Sequence, residues 1–349
     1  MSKLVCKDLS VKYFGYDEAI SGITTEFSDG LNVIFAPEKS GKTTLLKAIA
    51  GILTYKGEVT LDGEDVSTIS LKDRDFQMLF DDYALFSRRS ARYNLEYPLK
   101  LRKVPKSERK RVVEEAAALF DLDVMIDAPV YRLNEWHKVC IVLCRAYLRK
   151  AKVLLIDNIF SKLDPQSRKE AFYRFMPLFF DRGIVIYATD LVEEAAALSR
   201  EIKLLSYGYL LQEGSAEDFS NRPACLIAFV SFGEYVSTVY GSTTERGIIL
   251  FDKEFTVGAL SLISDEYFGK DVIFGFSLGD LVFSKQGISA EVLGRFCYNE
   301  KFVYLVQVEN QRVFVLSDDD ISFGSKAFLA VKSVSAVFDS LNQRTILRS

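Results

Sequence analysis

Residues 31–53 constrain the fold of this chain more than any other stretch. LNVIFA (31–36) is a continuous apolar run, PEKSGKTT follows it at once, and TTLLKAIAGIL (43–53) then shows helical spacing. A short apolar run bounded by turn residues is consistent with a strand covered on both faces. The same order recurs twice. VLLIDN (153–158) leads to QSRKEAFYRFMPLFF, with Asp164 as cap and Pro165 in the first turn, and GIVIYATD (183–190) leads to VEEAAALSR (192–200). Buried strands alternating with helices imply an α/β domain with a mainly parallel sheet.

Around these units the pattern varies. Residues 4–13 and 23–28 alternate as strands do, and GEVTLDGEDV (57–66) reads as a strand and turn. SERKRVVEEAAALFDL (107–122) predicts an amphipathic helix, and VCIVLCRAYL (139–148) a mostly buried one. Near Asn221-Arg222-Pro223 helical periodicity stops. RGIILFD, DVIFGFSLGDLVF, FVYLVQVE, RVFVLSD and KAFLAVK are strand-like runs split by Gly, Asp and Asn. They predict a small all-β barrel of roughly 120 residues. The expected division is 1–222 for the α/β domain and 223–349 for the barrel.

Composition narrows the function classes. At 349 residues the chain accommodates two domains, and a net charge of −4 gives no reason to expect nucleic acid as a partner. The basic stretch 100–111 is local and reads as a solvated loop and first helical turn. No apolar run approaches the roughly 18–20 residues that span a bilayer, and MSKLVCKDLS lacks a signal-peptide core. The five cysteines are odd in number and scattered, as buried thiols of a reducing compartment are. The 27 Phe and 17 Tyr imply much buried or partner-covered surface.

APEKSGKTT (36–44) stands between a buried strand and a helix, the context of a phosphate-binding loop. There Ser40, Gly41, Lys42, Thr43 and Thr44 put backbone N–H groups and a helix N-terminus toward phosphate. Lys42 reaches the β and γ oxygens, and the Thr43 hydroxyl ligates Mg²⁺. The usual pattern has glycine where Ala36 and Lys39 stand. A left-handed Lys39 would carry strain of about 1–2 kcal/mol, which its ammonium offsets by approaching phosphate.

The order of further motifs resembles the ATPase subunits of ABC transporters over nearly the whole chain, and most closely the importer type with a C-terminal OB-like barrel. The resemblance implies a P-loop ATPase domain, with a RecA-like core and a helical subdomain, ahead of that barrel. Tyr13 stands where the family stacks a ring on adenine, though it also reads as a core strand tyrosine. FDDYALF (80–86) resembles the loop usually written FQxYALF, RLNEWH (132–137) the signature, VLLIDN the acidic strand, SKLD (161–164) the loop after it, and IYATDLVEEA (186–195) the switch. ATP and Mg²⁺ are implied cofactors, with Thr43, Asp81 and Asp157 as metal-side groups.

Carried over by position, the departures form a pattern. Asp81 replaces a glutamine, Asn158 the catalytic glutamate and Asp190 the switch histidine, while Asn134-Glu135-Trp136-His137 replace Ser-Gly-Gly-Gln after Leu133. Asn158 cannot take a proton from water, and a positioned general base is worth on the order of 10²–10⁴ in rate. Asp190 places negative charge where a donor is wanted. Glu135 and Trp136 add charge and bulk where glycine amides should approach a partner's γ-phosphate. The expectation is a subunit that binds nucleotide and is degenerate in hydrolysis. ABC ATPases pair head to tail, so the favoured partner is a second, complete ATPase subunit. Membrane permease subunits are expected to dock near 81–97, with Arg88, Arg89 and Arg92 either in that surface or in a solvated turn. A solute-binding protein belongs to the same system, and the chain is expected on the cytoplasmic face of the membrane. The alternatives are a non-catalytic scaffold and a slow homodimeric ATPase.

Overall fold

The computed structural model describes residues 2–15, 18–198, 201–245, 247–256, 263 and 265–346. The chain divides into two compact units, Met1–Ser215 and Ala216–Ser349.

The first unit opens with β1 (Lys3–Lys12), β2 (Glu18–Ser28) and β3 (Gly30–Phe35), followed by α1 (Lys42–Ala50), β4 (Lys56–Leu61), β5 (Glu64–Asp65) and β6 (Phe76–Leu79). A helical stretch follows: α2 (Ala91–Leu101), α3 (Lys106–Leu119) and α4 (Glu135–Arg149). The unit closes with β7 (Val153–Asp157), α5 (Pro165–Phe175), β8 (Ile184–Thr189), α6 (Val192–Leu198), β9 (Ile202–Ser206) and β10 (Tyr209–Gly214). The last two positions expected in α6, 199 and 200, lie outside the described residues.

The main sheet has the order β10-β9-β3-β8-β7-β6. Its pairs from β9 to β6 are parallel and β10 joins antiparallel, so the mainly parallel sheet is observed. A separate antiparallel sheet, β2-β1-β4-β5, collects the alternating strands. β7 shows why the central strands read as unbroken apolar runs. Leu154 and Ile156 enter a core shared with α4 and α5, while Val153 and Leu155 enter one shared with α1 and the antiparallel sheet. A strand covered on both faces leaves no polar side to alternate.

α5 begins as its sequence dictates, with the Asp164 carboxylate accepting from the Ser167 N–H at 3.0 Å and Pro165 at the first position. α4 begins four residues before the expected 139, because Asn134 caps it. Cys6, Cys140 and Cys144 are buried in these cores, and burial pushes the Cys6 and Cys140 thiols up to about 12. The expectation of buried thiols fails at Cys297, which is exposed on the second unit.

The second unit carries α7 (Ala216–Asn221) and α8 (Leu226–Phe232), then β11 (Ser237–Thr243), β12 (Ile248–Leu250), β13 (Lys253–Phe255), β14 (Asp271–Phe276), β15 (Leu281–Ser284), β16 (Ile288–Tyr298), β17 (Lys301–Val308), β18 (Gln311–Ser317), β19 (Lys326–Val331) and β20 (Ala336–Asp339). They form two five-stranded sheets, β13-β12-β11-β14-β20 and β15-β19-β16-β17-β18, which share one apolar core. Among the described residues every pairing in this unit is antiparallel.

Candidate nucleotide site

Strand register gathers the motifs. Phe35 pairs with Thr189 between β3 and β8, and Asp157 pairs with Ala188 between β7 and β8. The chain after each strand therefore emerges at one edge of the sheet, the carboxyl edge where open α/β sheets receive ligands. The loop 36–41, Asp157 with Asn158, and Asp190 all lie there.

The loop has the backbone of a phosphate cradle. Lys39 is left-handed at φ +61, as its replacement of glycine implied. Gly41 caps α1 at φ +99, and a Cβ there would meet the Ala19 carbonyl oxygen at 2.7 Å. The Ser40 side chain turns inward and its hydroxyl donates to the Pro37 carbonyl at 2.5 Å. Lys42, Thr43 and Thr44 open α1, and with Lys39 and Gly41 they line an open concavity of about 450 Å³. Tyr13 is 41% exposed, which removes the reading as a core tyrosine. Its hydroxyl hydrogen-bonds the Thr44 hydroxyl at 3.2 Å, which sets the ring beside the loop.

Asp157 is buried at the end of β7, and its Oδ1 has no hydrogen-bond partner. Burial pushes its carboxyl up from the ordinary value, against the lowering effect of the Thr43 hydroxyl and the Lys42 ammonium, while the Asp81 carboxylate adds to the rise. An unpartnered buried carboxylate oxygen beside a hydroxyl and a second carboxylate fits a hard cation with oxygen ligands. Thr43, Asp157 and the exposed Asp81 are the residues that would face Mg²⁺, which supplies charge neutralisation for phosphate.

Asn158 and Asp190, the positions the resemblance assigns to base and switch, are held in a hydrogen-bonded network. Asn158, itself left-handed at φ +44, donates from Nδ2 to Asp190 Oδ2 at 3.0 Å. Its Oδ1 accepts from Arg168 at 3.0 Å. The same Arg168 guanidinium donates to Asp190 Oδ1 at 3.1 Å and, through Nε, to Glu194 Oε1 at 2.7 Å. Glu194 also accepts from the Tyr187 hydroxyl at 2.5 Å and from the Thr189 hydroxyl. Arg168, Tyr187, Thr189 and Glu194 are all buried. Burial and the Glu194 carboxylate push the Tyr187 hydroxyl well up, so it stays a neutral donor. Both Asp190 oxygens are engaged, one by an amide and one by a guanidinium. The network holds the Asp190 carboxylate against Asn158 and Arg168.

Arg168, Tyr187 and Glu194 were not singled out from the sequence. Arg168 lies in the helix capped by Asp164, and Glu194 in VEEAA, where each reads as a surface helix charge. Only opposite charge at separated positions signalled them.

The segment Leu133–His137 starts α4. Leu133 is buried, and Asn134 Oδ1 accepts from the His137 N–H at 3.0 Å and lies 2.6 Å from His137 Nδ1. The Lys138 ammonium, 2.7 Å from Glu135, holds that carboxyl below its ordinary range. Trp136 is half-buried. Its ring turns back onto the helical layer, 5.9 Å from the Phe175 ring centroid, and joins the core there. Among the described residues no group of three or more His, Cys, Asp or Glu side chains gathers as a metal site, so His137 and the cysteines form none.

Near 81–97 the structure redistributes the expected roles. Arg92 pairs with Asp127 at 2.7 Å and Glu114 at 3.3 Å, and Arg89 lies over the Tyr93 ring. A groove of about 740 Å³ lies next to this segment, and Ile52, Phe80, Phe86, Tyr97 and Leu101 are among the residues that line it. Arg145 and Arg149 also line it, whereas Arg88 and Arg89 do not.

Comparison with known proteins agrees with the fold. A family model described as "ABC transporter" matches residues 30–161. The Fe(3+) ions import ATP-binding protein FbpC of Escherichia coli (strain K12) is 35% identical over 216 residues, covering 61% of this chain and 62% of that protein. The Fe(3+) ions import ATP-binding protein FbpC 1 of Haemophilus influenzae is 33% identical over 248 residues, 70% of this chain and 75% of that protein. A solved structure of the ATP binding subunit of an ABC transporter superposes with a TM-score of 0.55 at 18% identity, over 62% of this chain and 91% of that one, which bears on the fold alone. No helix among the described residues is long and apolar enough to cross a membrane.

Proposed function

Since the chain belongs to the ATP-binding proteins of the ABC transporter family, we propose that it is a nucleotide-binding subunit of an importer that holds Mg-ATP without hydrolysing it efficiently. The observation that carries this reading is the contrast at the sheet edge. The phosphate loop and Asp157 keep a ligand-ready geometry, with a left-handed Lys39 and an unpartnered Asp157 Oδ1. One strand end away, Asn158 and Asp190 are bonded to each other and to Arg168.

In a head-to-tail pair, a second copy of this chain would leave both sites without a base. Pairing with a complete homologue would leave one competent site, served by Leu133–His137 of this chain. Asn134 Oδ1 is occupied by its cap, but its Nδ2 points to no partner among the described residues and remains a donor for γ-phosphate. Water activation is harder to replace than a hydrogen-bond donor, so the partner's site does the chemistry. ATP in this chain's site then acts as a clamp. The groove that Phe86 and Tyr97 line together with charged side chains is the surface offered to permease subunits. That places the chain peripherally on the cytoplasmic side, in a system with a solute-binding component. The two-sheet C-terminal unit serves as an OB-like regulatory or dimer module.

Steady-state phosphate release from the assembled transporter tests this reading. Neutralising the partner's catalytic glutamate abolishes turnover, while Lys42→Ala in this chain weakens assembly and leaves measurable hydrolysis. Turnover that survives the first change and vanishes with the second overturns the division of labour. Brisk turnover by the purified chain alone favours the homodimeric ATPase instead.

A further inference from the structure

The hairpin between β9 and β10 turns at Tyr207 and Gly208, with Tyr209 paired to Ser206. Both central residues have positive φ, +50 at Tyr207 and +79 at Gly208, the geometry of a two-residue turn that prefers Asn-Gly or Asp-Gly. Gly208 is required there, since a Cβ would lie 2.7 Å from the Ala19 carbonyl oxygen. Tyrosine at the first position has no such excuse: a bulky side chain in the left-handed region is strained.

The turn is clipped to the phosphate loop. The Gly208 N–H donates to the Ser40 carbonyl at 3.0 Å, and the Gly208 carbonyl accepts from the Ser21 N–H at 2.9 Å. Tyr207 thereby lines the same concavity as Lys39, Gly41, Lys42, Thr43 and Thr44. Yet it is 74% exposed, so the ring is not kept for the core. A disfavoured backbone, an exposed ring and a rigid tie to the phosphate cradle coincide at one residue. Strain held at a ligand site runs from observation to function.

We propose that Tyr207 is a nucleotide-contacting residue whose ring packs on the nucleoside portion of the bound nucleotide. This rests on the nucleotide-binding reading above and adds to it a second aromatic contact, on the opposite side of the loop's chain order from Tyr13. The ring supplies a flat apolar face, which a polyphosphate cannot use and a base or sugar can.

Titration calorimetry of the full chain with Mg-ATP and with Mg-tripolyphosphate, which lacks a nucleoside, tests it. Tyr207→Asn suits the left-handed turn, so it keeps or raises thermal stability while removing the ring. Its ATP affinity falls about tenfold, its tripolyphosphate affinity holds, and Tyr207→Phe behaves as wild type. Equal ATP binding by wild type and Tyr207→Asn overturns the proposal. A parallel loss for both probes also overturns it, because the residue would then act by shaping the loop. Wild-type chain that binds neither probe overturns the nucleotide reading itself, a result distinct from binding that ignores Tyr207.

Discussion

Asn158 Nδ2 donates to Asp190 Oδ2 at 3.0 Å, so the two positions to which the resemblance assigns water activation and phosphate sensing are bonded to one another. Arg168 closes the ring by donating to both. Their substitutions are therefore a matched pair, and changing one strands the other.

Asn158→Glu alone is the first consequence. It replaces an amide donor by a carboxylate facing Asp190 and adds a third negative group to a guanidinium already shared by Asp190 and Glu194. We expect a lower melting temperature and no gain in phosphate release. The double change Asn158→Glu with Asp190→His removes the repulsion and recovers stability. Family-level turnover from the single variant would show that the ring is not what silences the site.

Arg168→Met tests the ring from its centre. Both carboxylates would be left without their charge partner, Glu194 fully buried and Asp190 partly so. Breaking a buried pair from one side costs about 3–5 kcal/mol. Urea unfolding should show a loss in that range, and adding Glu194→Gln should return part of it. A loss under about 1 kcal/mol would mean that the pair is screened like a surface one.

At the phosphate loop, Lys42→Ala should remove most Mg-ATP affinity in calorimetry, and equal binding by the variant and wild type would refute the cradle. Lys39→Gly separates strain from charge. Glycine relieves the left-handed backbone at φ +61, so stability rises by about 1 kcal/mol, while ATP affinity falls if the ammonium meets phosphate. Unchanged affinity would leave Lys39 as strain without compensation.

For docking, Phe86→Asp with Tyr97→Asp should reduce co-purification with permease subunits, because both rings line the groove and pack on each other with centroids 4.8 Å apart. Arg88→Glu with Arg89→Glu should have the smaller effect, since neither residue lines it. The opposite ranking would move the docking surface to the exposed basic turn. Far-ultraviolet dichroism of both double variants checks that the helices persist.

The sequence by itself determined what depends on neighbouring residues. The run 31–53 had to be strand, loop and helix, Asp164 and Pro165 had to open a helix, and the glycine pattern broken at Lys39 implied the left-handed backbone that is found. Each is a local consequence of steric or hydrogen-bonding limits within a few residues. Tertiary structure decided what depends on register. Only the pairing of β7 with β8 brings Asn158 beside Asp190, and only the packing of α5 and α6 on those strands delivers Arg168 and Glu194 to them. Only the packing of α4 on α5 sets the Trp136 ring 5.9 Å from that of Phe175. Only the bond from the Gly208 N–H to the Ser40 carbonyl ties Tyr207 to the phosphate loop. Helix-surface charges and turn aromatics have no sequence mark of their destination. A charge becomes a buried ion pair, and a ring becomes part of a binding site, only when distant backbone sets what faces it.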